Sequence, residues 1–382
     1  MTEIHLSSNP VGRRASGVIA AIFGLVLFSG GAGLLYASNE YVKLILLSFG
    51  LIFYLTSIRL TIAIIYSLLY GVFGVISQLY FSLPFKFYDS VAICLSLILV
   101  NYFIQRRLYL DHRLLLRRAI LIYLVLSLIV GLFAGNFYLG GGAIGFRFLG
   151  ITENPNQLGL YAACSLVILQ VFGGGGYFSA LCKVMALLLG VLSGSDAFYV
   201  ACFAYLFLLF LSRGNINFLV GIFSILLFII FSITYFDIAS LGLQATERLN
   251  RWWCFWSLIA RYPFSLLVGF GATAVGPSFD ITFKDEVISS CAFDVSGTEF
   301  HNSYFDFIAA FGIVGFLVFY MFFSGLLNKR VGLFRLITTP EFGFLAVFAA
   351  FHLVYRHPVF WIAIVSVLIR ASSSGVSRGR HL

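Results

Sequence analysis

The chain has 382 residues, of which 61% are hydrophobic and only 10% are charged. A soluble protein of this length could bury a large core, but its surface would need far more charge than this sequence contains. The composition therefore excludes a soluble globular protein, and the repeated apolar runs of about 20 residues indicate an all-α, polytopic integral membrane protein. The alternating segments of about ten residues that build a transmembrane barrel do not dominate.

About twelve membrane spans are predicted, each long enough to cross the hydrocarbon core or nearly so. In chain order they lie near residues 17–36, 41–57, 60–81, 88–104, 119–138, 156–172, 178–192, 197–211, 217–235, 303–325, 341–355 and 358–371. The run 180–211 has one polar break, SGSD at residues 193–196. As a single helix it would extend about 48 Å, too long for the bilayer, so two short spans are predicted.

The distribution of charge predicts the orientation of these spans. The formal net charge is +9, and with a cytoplasmic N-terminus most of the 24 Lys and Arg residues fall on the cytoplasmic side. That bias is the positive-inside signal, so the basic excess does not indicate a nucleic-acid partner. We expect a single transmembrane domain over residues 1–382, with both termini in the cytoplasm.

The longest segment between spans, residues 236–302, is predicted to lie outside the cytoplasm as a periplasmic loop. Its part TERLNRWWCFWSLIARYPF has apolar residues at helical spacing, which predicts an amphipathic helix in the membrane interface with its tryptophans at headgroup level. Arg248 and Arg251, three residues apart, share one face of that helix. Cys254 and Cys291 could form a disulfide in an oxidising periplasm, but their spacing alone does not pair them.

Polar residues gather at four outer positions: FRFLGITENPNQLGLY (146–161), SGSD (193–196), the loop helix, and the start of span ten, HNSYFDF (301–307). Arginines suit phosphate oxygens, and histidine can take a proton near neutral pH. The combination indicates transfer from a diphosphate-bearing lipid, with arginines absorbing the leaving charge and no metal or cofactor required. The predicted site has His301 as catalytic base and, as substrate-binding residues, Arg147, Arg248, Arg251, Asn156 and Asn302.

Structural interpretations of the same residues remain open. Asn154 can cap a helix that begins at Pro155, and Asp196 can cap span eight. Arg248 and Arg251 can bind lipid headgroups, and His301 with Asn302 can simply start a helix. His352, Arg356 and His357 are explained by snorkelling at the outer end of span eleven. No Cys/His spacing fits a zinc site.

The order of these motifs is similar to that in a known family. The series GITENPNQLG, SGS, RLNRWW…YPFSLLVGFG and HNSYFDFIAAFGIVG resembles the O-antigen polymerase and O-antigen ligase superfamily. Its members are bacterial inner-membrane glycosyltransferases that use undecaprenyl-diphosphate-linked sugars. The resemblance runs from about Arg147 to Gly315, whereas the first four spans are similar in hydropathy only.

The resemblance implies roles for the matching residues. Arg147 and Arg248, with Arg251 as an additional candidate, would clamp the diphosphate. His301, at the family's His-Asn position, would orient or deprotonate the acceptor hydroxyl. The turn that closes the loop helix would contain Gly269 and Gly271, as a family Pro…Gly-x-Gly motif. The chain departs from the family just after SGS, where an arginine is frequent and Asp196 stands here.

The expected function is that of an O-antigen polymerase, which moves a lipid-linked glycan onto another lipid-linked repeat unit. The alternatives are an O-antigen ligase, which transfers the glycan to lipid A–core, and a polysaccharide transporter or flippase. The substrate implied is an undecaprenyl-diphosphate-linked oligosaccharide within membrane lipids. A chain-length regulator and a flippase are further candidate partners.

Overall fold

A computed structural model describes residues 113–135, 137–139, 146–152, 154–172, 174–213, 238–270, 302–327, 339–351, 354 and 357–373. The predicted spans at 17–36, 41–57, 60–81, 88–104 and 217–235 lie outside these residues. Of the predicted site, His301 and the side chain of Arg248 also lie outside them.

The described chain is mainly helical. Its helices are α1 (Arg113–Phe133), α2 (Pro155–Phe172), α3 (Tyr177–Leu192), α4 (Asp196–Arg213), α5 (Ile238–Arg261), α6 (Ser265–Val268), α7 (Ser303–Leu327), α8 (Pro340–Phe351) and α9 (Pro358–Ser373). Between α1 and α2, strands β1 (Phe137–Leu139) and β2 (Phe146–Phe148) form a small antiparallel sheet, which the sequence patterns did not predict.

Each predicted span inside the described ranges overlaps a helix, but the span predicted at 119–138 ends too late, since α1 ends at Phe133 and residues 137 and 138 lie in β1. Among the described residues, three helices are long and apolar enough to cross a membrane, over Leu116–Phe133 in α1, Pro155–Phe172 in α2 and Ser303–Met321 in α7. Helices α3, α4, α8 and α9 are apolar but shorter. Helix content and hydropathy together identify a helical membrane protein, while the total of twelve spans stays a prediction.

The break between α3 and α4 confirms that the run 180–211 is two helices. Gly194 takes the left-handed conformation, with φ of 61°, and the helix resumes at Asp196. The carbonyl oxygen of Ser195 accepts the first helical bonds, from the N–H groups of Phe198 (2.9 Å) and Tyr199 (3.2 Å). Ser195 therefore occupies the cap position, and the interpretation of Asp196 as the cap is wrong.

Helix α2 lies at the centre of the described helices. Of its 18-residue apolar window 72% is buried, compared with 33% in α1, whose outward side chains include Ile122 and Leu126. Helices α3 and α9 cover α2, and α4 packs along α8. The residues at the start of α2 are thus held by neighbours on several sides.

Polar contacts join helix ends that the predicted topology places on the same side of the membrane. At the cytoplasmic side of that topology, Arg117 near the start of α1 donates to the carbonyl of Phe172 at the end of α2 (3.3 Å). At that side too, Arg370 near the end of α9 forms a 2.6 Å ion pair with the buried Glu341 at the start of α8. The opposite side holds β2 and the beginnings of α2, α4, α7 and α9.

A second, smaller core joins the loop helix to the outer half of α7. Phe255, Leu258 and Ile259 of α5 pack with Phe270 and Ala309. The predicted interfacial helix is therefore confirmed as a helix, and it is longer than the sequence motif. Trp253 and Trp256 are 61% and 55% exposed on its outer face, as tryptophans at headgroup depth would be.

Helix α7 is kinked where the segment after α6 crosses it. Gly312 has φ of 63° and ψ of −172° within the helix. The N–H of Phe270 donates to the carbonyl of Ala309 (2.6 Å), a bond that the interrupted helical ladder makes possible. Gly269 lies so close to α7 that a Cβ there would fall 2.4 Å from the nitrogen of Phe311. Two glycines thus allow the backbones to touch.

Candidate active site

Arg147 joins three segments at the outer ends of the helices. It lies on β2, and its Nη2 donates a 2.6 Å hydrogen bond to Oδ1 of Asn156 at the start of α2. Its Nε donates to the carbonyl oxygen of Ser193 in the turn between α3 and α4 (3.4 Å). Two of the residues predicted for the site, Arg147 and Asn156, are therefore in direct contact.

The start of α2 explains why Asn156 faces Arg147. Pro155 is the first helical residue, and Oδ1 of Asn154 accepts a hydrogen bond from the N–H of Asn156 (2.8 Å). The carbonyl of Asn154 also accepts from the N–H of Gln157 (2.9 Å). The sequence interpretation of Asn154 as the cap ahead of Pro155 is confirmed, and this cap fixes the first turn that carries Asn156.

The turn between α3 and α4 is built from small residues that let it approach α2. Oγ of Ser193 donates to the carbonyl of Gly190 (2.6 Å) and accepts from the N–H of Ser195 (3.3 Å). A Cβ on Gly159 of α2 would lie 2.8 Å from Cβ of Ser195. This close packing presents the Ser193 carbonyl to Arg147.

The start of α7 is capped by Asn302. Its buried side-chain oxygen accepts hydrogen bonds from the N–H groups of Tyr304 (3.0 Å) and Phe305 (3.3 Å). The helix-start interpretation of Asn302 is confirmed, and its predicted role in substrate binding stays a prediction. Because this oxygen caps the helix, Asn302 fixes the point at which α7 begins, directly after His301 in the sequence.

The segment between α8 and α9 links the start of α7 to α2. The N–H of Val354 donates to Oγ of Ser303 (2.8 Å), and Nδ1 of His357 lies 3.3 Å from the hydroxyl of Tyr161 on α2. His357 stands edge-on to the Tyr161 ring, with centroids 5.7 Å apart. The snorkelling interpretation of His357 did not include this contact with a buried tyrosine, and it stays a prediction. His352 and Arg356 lie outside the described residues.

The loop helix α5 lies against this same end of α7. The rings of Phe255 and Phe305 stack with centroids 4.5 Å apart, and Trp252 meets Phe305 edge-on. Arg251, which precedes Trp252, is only 8% exposed. An arginine that simply met headgroups would keep its guanidinium outside the protein. Arg248 lies one turn earlier on α5, on the same helix face.

Residues 181–320 match the family model described as O-Antigen ligase. This match supports the O-antigen polymerase and ligase superfamily, which the sequence motifs resemble. The matched segment contains the turn between α3 and α4, the loop helix and the outer half of α7, whereas Arg147 and Asn156 precede it. No curated protein matches the chain.

The match to this superfamily bears on the general activity of the protein. It indicates a glycosyltransferase-like activity of the ligase or polymerase type, acting on lipid-linked oligosaccharides at a membrane. The contacts of Arg147 and of the α7 start are thus contacts at one end of the helices of such an enzyme.

Asp196, where members of the superfamily often have an arginine, shares the surroundings of Arg147. Both side chains interact electrostatically with the hydroxyl of Tyr199, one turn into α4. That hydroxyl donates to the carbonyl of Val191 (2.7 Å). In this member of the superfamily a carboxylate and a guanidinium therefore stand together at the turn, in place of two cations.

The described cysteines differ in whether they form a disulfide. Cys254 on α5 is disulfide-bonded, and its partner lies outside the described residues. Cys164, Cys182 and Cys202, all within predicted spans, are free. Disulfides persist in oxidising compartments, and the exposure of this helix to such a compartment stays a prediction.

Metal ligands form no cluster in the part of the chain that the structure describes. No group of three or more His, Cys, Asp or Glu side chains there could hold a metal ion. Because His301 and the acidic part of the loop lie outside the described residues, the expectation of a metal-independent reaction stays a prediction.

Proposed function

We propose that this protein is an O-antigen, or related surface polysaccharide, polymerase. It transfers a glycan from undecaprenyl diphosphate onto the end of another lipid-linked repeat unit at the periplasmic face of the bacterial inner membrane. The faint similarity of the motifs to those of the superfamily favours a polymerase over a ligase, since polymerases of this superfamily differ greatly in sequence.

The observation that carries this proposal is the way Arg147 is held. Its guanidinium is half-buried, and two of its nitrogens bond to Asn156 and to the Ser193 carbonyl. These two hydrogen bonds orient the guanidinium. A guanidinium in a fixed orientation can bind phosphate oxygens, and partial burial weakens the screening of that interaction by water.

The transfer that we propose breaks one bond and forms one. The acceptor hydroxyl attacks the anomeric carbon of the donor glycan, and the bond from that carbon to the diphosphate oxygen breaks. His301 accepts the hydroxyl proton, and undecaprenyl diphosphate leaves with the electron pair. Arginines at the site stabilise the negative charge that develops on the diphosphate, which lowers the barrier.

The loop helix supplies the other cations in this proposal. Arg251 is buried on the face of α5 that packs toward the start of α7, and Arg248 is one turn away on that face. Both arginines come shortly before Trp252 in the sequence. The ring of Trp252 contacts the ring of Phe305, which lies three residues after Asn302. This proximity supports Arg248 and Arg251 as ligands for the same diphosphate, beside a base at His301.

The orientation in the membrane is part of the proposal. Residues 236–302 lie in the periplasm and both termini in the cytoplasm, which the disulfide at Cys254 supports. The positive-inside bias of the sequence supports the same orientation. A flippase would deliver the lipid-linked units to this face, and a chain-length regulator would act on their extension.

The second candidate function is that of an O-antigen ligase, and the description of the matching family model favours it. A lipopolysaccharide gel of a deletion strain separates the candidates. Core bearing a single repeat unit supports the polymerase, whereas bare core with polymer still linked to undecaprenyl diphosphate supports the ligase. Lipid-linked units trapped in the cytoplasmic leaflet would support a flippase instead and contradict glycosyl transfer.

A further inference from the structure

His357 and Tyr161 form a polar pair among otherwise apolar helices. Tyr161 is fully buried in α2, and its ring also contacts the ring of Tyr123 on α1, with centroids 5.4 Å apart. His357 is partly exposed, so its imidazole connects a buried hydroxyl to the surface. The two residues are 196 positions apart in sequence, and no sequence motif drew attention to this pairing.

The backbone on both sides of His357 is fixed. Its N–H donates to the carbonyl of Val354 (3.0 Å), and its own carbonyl accepts from the N–H of Phe360 in the first turn of α9 (3.1 Å). Val354 in turn donates to Oγ of Ser303. These bonds hold the backbone at His357 and tie its position to the start of α7.

The pair is connected to both groups of residues described above, through α2 on one side and through Val354 and Ser303 on the other. Tyr161 follows Asn156, the partner of Arg147, by five residues on α2, a rise of about 7.5 Å along the helix axis. Ser303 follows Asn302 and His301 directly. A lipid-linked diphosphate that contacts Arg147 on one side and the start of α7 on the other would pass the edge of this imidazole.

We infer that His357 is a further ligand of the donor diphosphate and that Tyr161 positions it. The Tyr161 hydroxyl donates to Nδ1 of His357, which places the proton of the neutral imidazole on Nε2. The Nε2–H group then donates a hydrogen bond to a diphosphate oxygen. Because a hydrogen bond to an anion is stronger than one to a neutral group, this contact favours the donor and the departing diphosphate.

This inference rests on the proposed function, since it names an additional ligand for the same donor. The competing explanation is that the pair only locks α9 to α2. The two explanations differ in which imidazole nitrogen matters, because the lock needs Nδ1 alone whereas diphosphate binding needs Nε2.

Substitutions at His357 separate the two nitrogens. Asparagine places a polar atom near the position of Nδ1 and lacks Nε2, so His357→Asn keeps the contact with Tyr161. Tyr161→Phe keeps the ring contact with Tyr123 and removes the hydroxyl. The measurement is binding of undecaprenyl diphosphate to the purified full-length protein in detergent micelles, with undecaprenol as the probe that lacks the diphosphate.

We expect His357→Asn to bind undecaprenyl diphosphate about 10-fold more weakly, the loss of one charge-assisted hydrogen bond. Its binding of undecaprenol and its thermal unfolding midpoint should match those of the wild-type protein. Tyr161→Phe should weaken binding less, and the double variant should bind no more weakly than His357→Asn, because Tyr161 acts through the imidazole.

Wild-type binding of undecaprenyl diphosphate by His357→Asn would overturn the inference and leave only the lock between helices. A glycan-transfer assay on the same proteins distinguishes this failure from failure of the proposed function. If wild type and His357→Asn both transfer glycan with equal donor KM, His357 is not a diphosphate ligand, but the proposed function stands. Binding that depends on His357, with no transfer by the wild-type protein, would keep the diphosphate ligand and contradict the proposed polymerase.

Discussion

Replacing Asn156 with alanine tests whether Arg147 is held in advance as a phosphate ligand. Asn156→Ala removes the acceptor of the 2.6 Å hydrogen bond and leaves the longer, 3.4 Å bond to the Ser193 carbonyl. A hydrogen bond that involves a charged group contributes about 1.5–3 kcal/mol. Water replaces part of this interaction at a half-buried site, so we expect the lower end, about a 10-fold loss in kcat/KM for the donor.

The assay is glycan transfer by the full chain in proteoliposomes, with donor KM and kcat measured separately. Arg147→Lys should lose more than Asn156→Ala, because one ammonium group on a flexible stem cannot reproduce the planar fork of the guanidinium. Arg118→Ala is the matched control, since Arg118 is an exposed arginine near the start of α1, at the opposite side of the helices. Unchanged donor kinetics in Asn156→Ala would refute the positioning of Arg147, and unchanged kinetics in Arg147→Ala would refute its contact with the diphosphate.

Three further predictions concern the start of α7, its kink and the loop helix. His301→Ala should abolish chain extension without reducing membrane insertion, and a fully active variant would remove His301 as the base. Gly312→Ala should lower the thermal unfolding midpoint by destabilising the fold by at least about 1 kcal/mol, because a Cβ at this φ of +63° would lie 2.2 Å from the carbonyl oxygen of Leu267; an unchanged midpoint would contradict the kink. Cys254→Ser should make its partner cysteine reactive to maleimide in the unreduced protein, and no gain in labelling would contradict the disulfide.

Hydropathy and helix-end signals predicted the parts of the fold that local physics determines. The break at SGSD was predictable because a single helix over that run would overreach the bilayer, and α3 and α4 separate there. The cap at Asn154 and the start at Pro155 follow from backbone preferences that act over a few residues. The loop helix was predictable from the helical spacing of its apolar residues.

Contacts between distant segments could not be predicted in the same way. The bond of Arg147 to Asn156 depends on the small sheet that places Arg147 on β2, and three-residue strands have no distinctive pattern. The pairing of His357 with Tyr161 depends on how α9 packs on α2. The sequence identified the polar residues at the outer ends of the helices, but which of them come into contact depends on how the helices pack.

The kink of α7 shows a similar division. Gly312 in the motif FGIVG reads as a glycine in an apolar span, where glycines are frequent. Only the crossing of the segment around Gly269 explains its left-handed backbone, since each glycine admits the backbone of the other segment. A glycine in such a span indicates close packing, but the sequence does not show which segment packs against it.

The central claim is that the residues around Arg147 transfer a glycan from a lipid diphosphate. The most direct measurement supplies purified protein in proteoliposomes with radiolabelled repeat units on undecaprenyl diphosphate and separates the products by length. We expect a ladder of lipid-linked polymers with release of undecaprenyl diphosphate, and we expect the ladder to be absent for Arg147→Ala. Repeat units that stay single, or that cross the vesicle membrane without becoming joined, would contradict it.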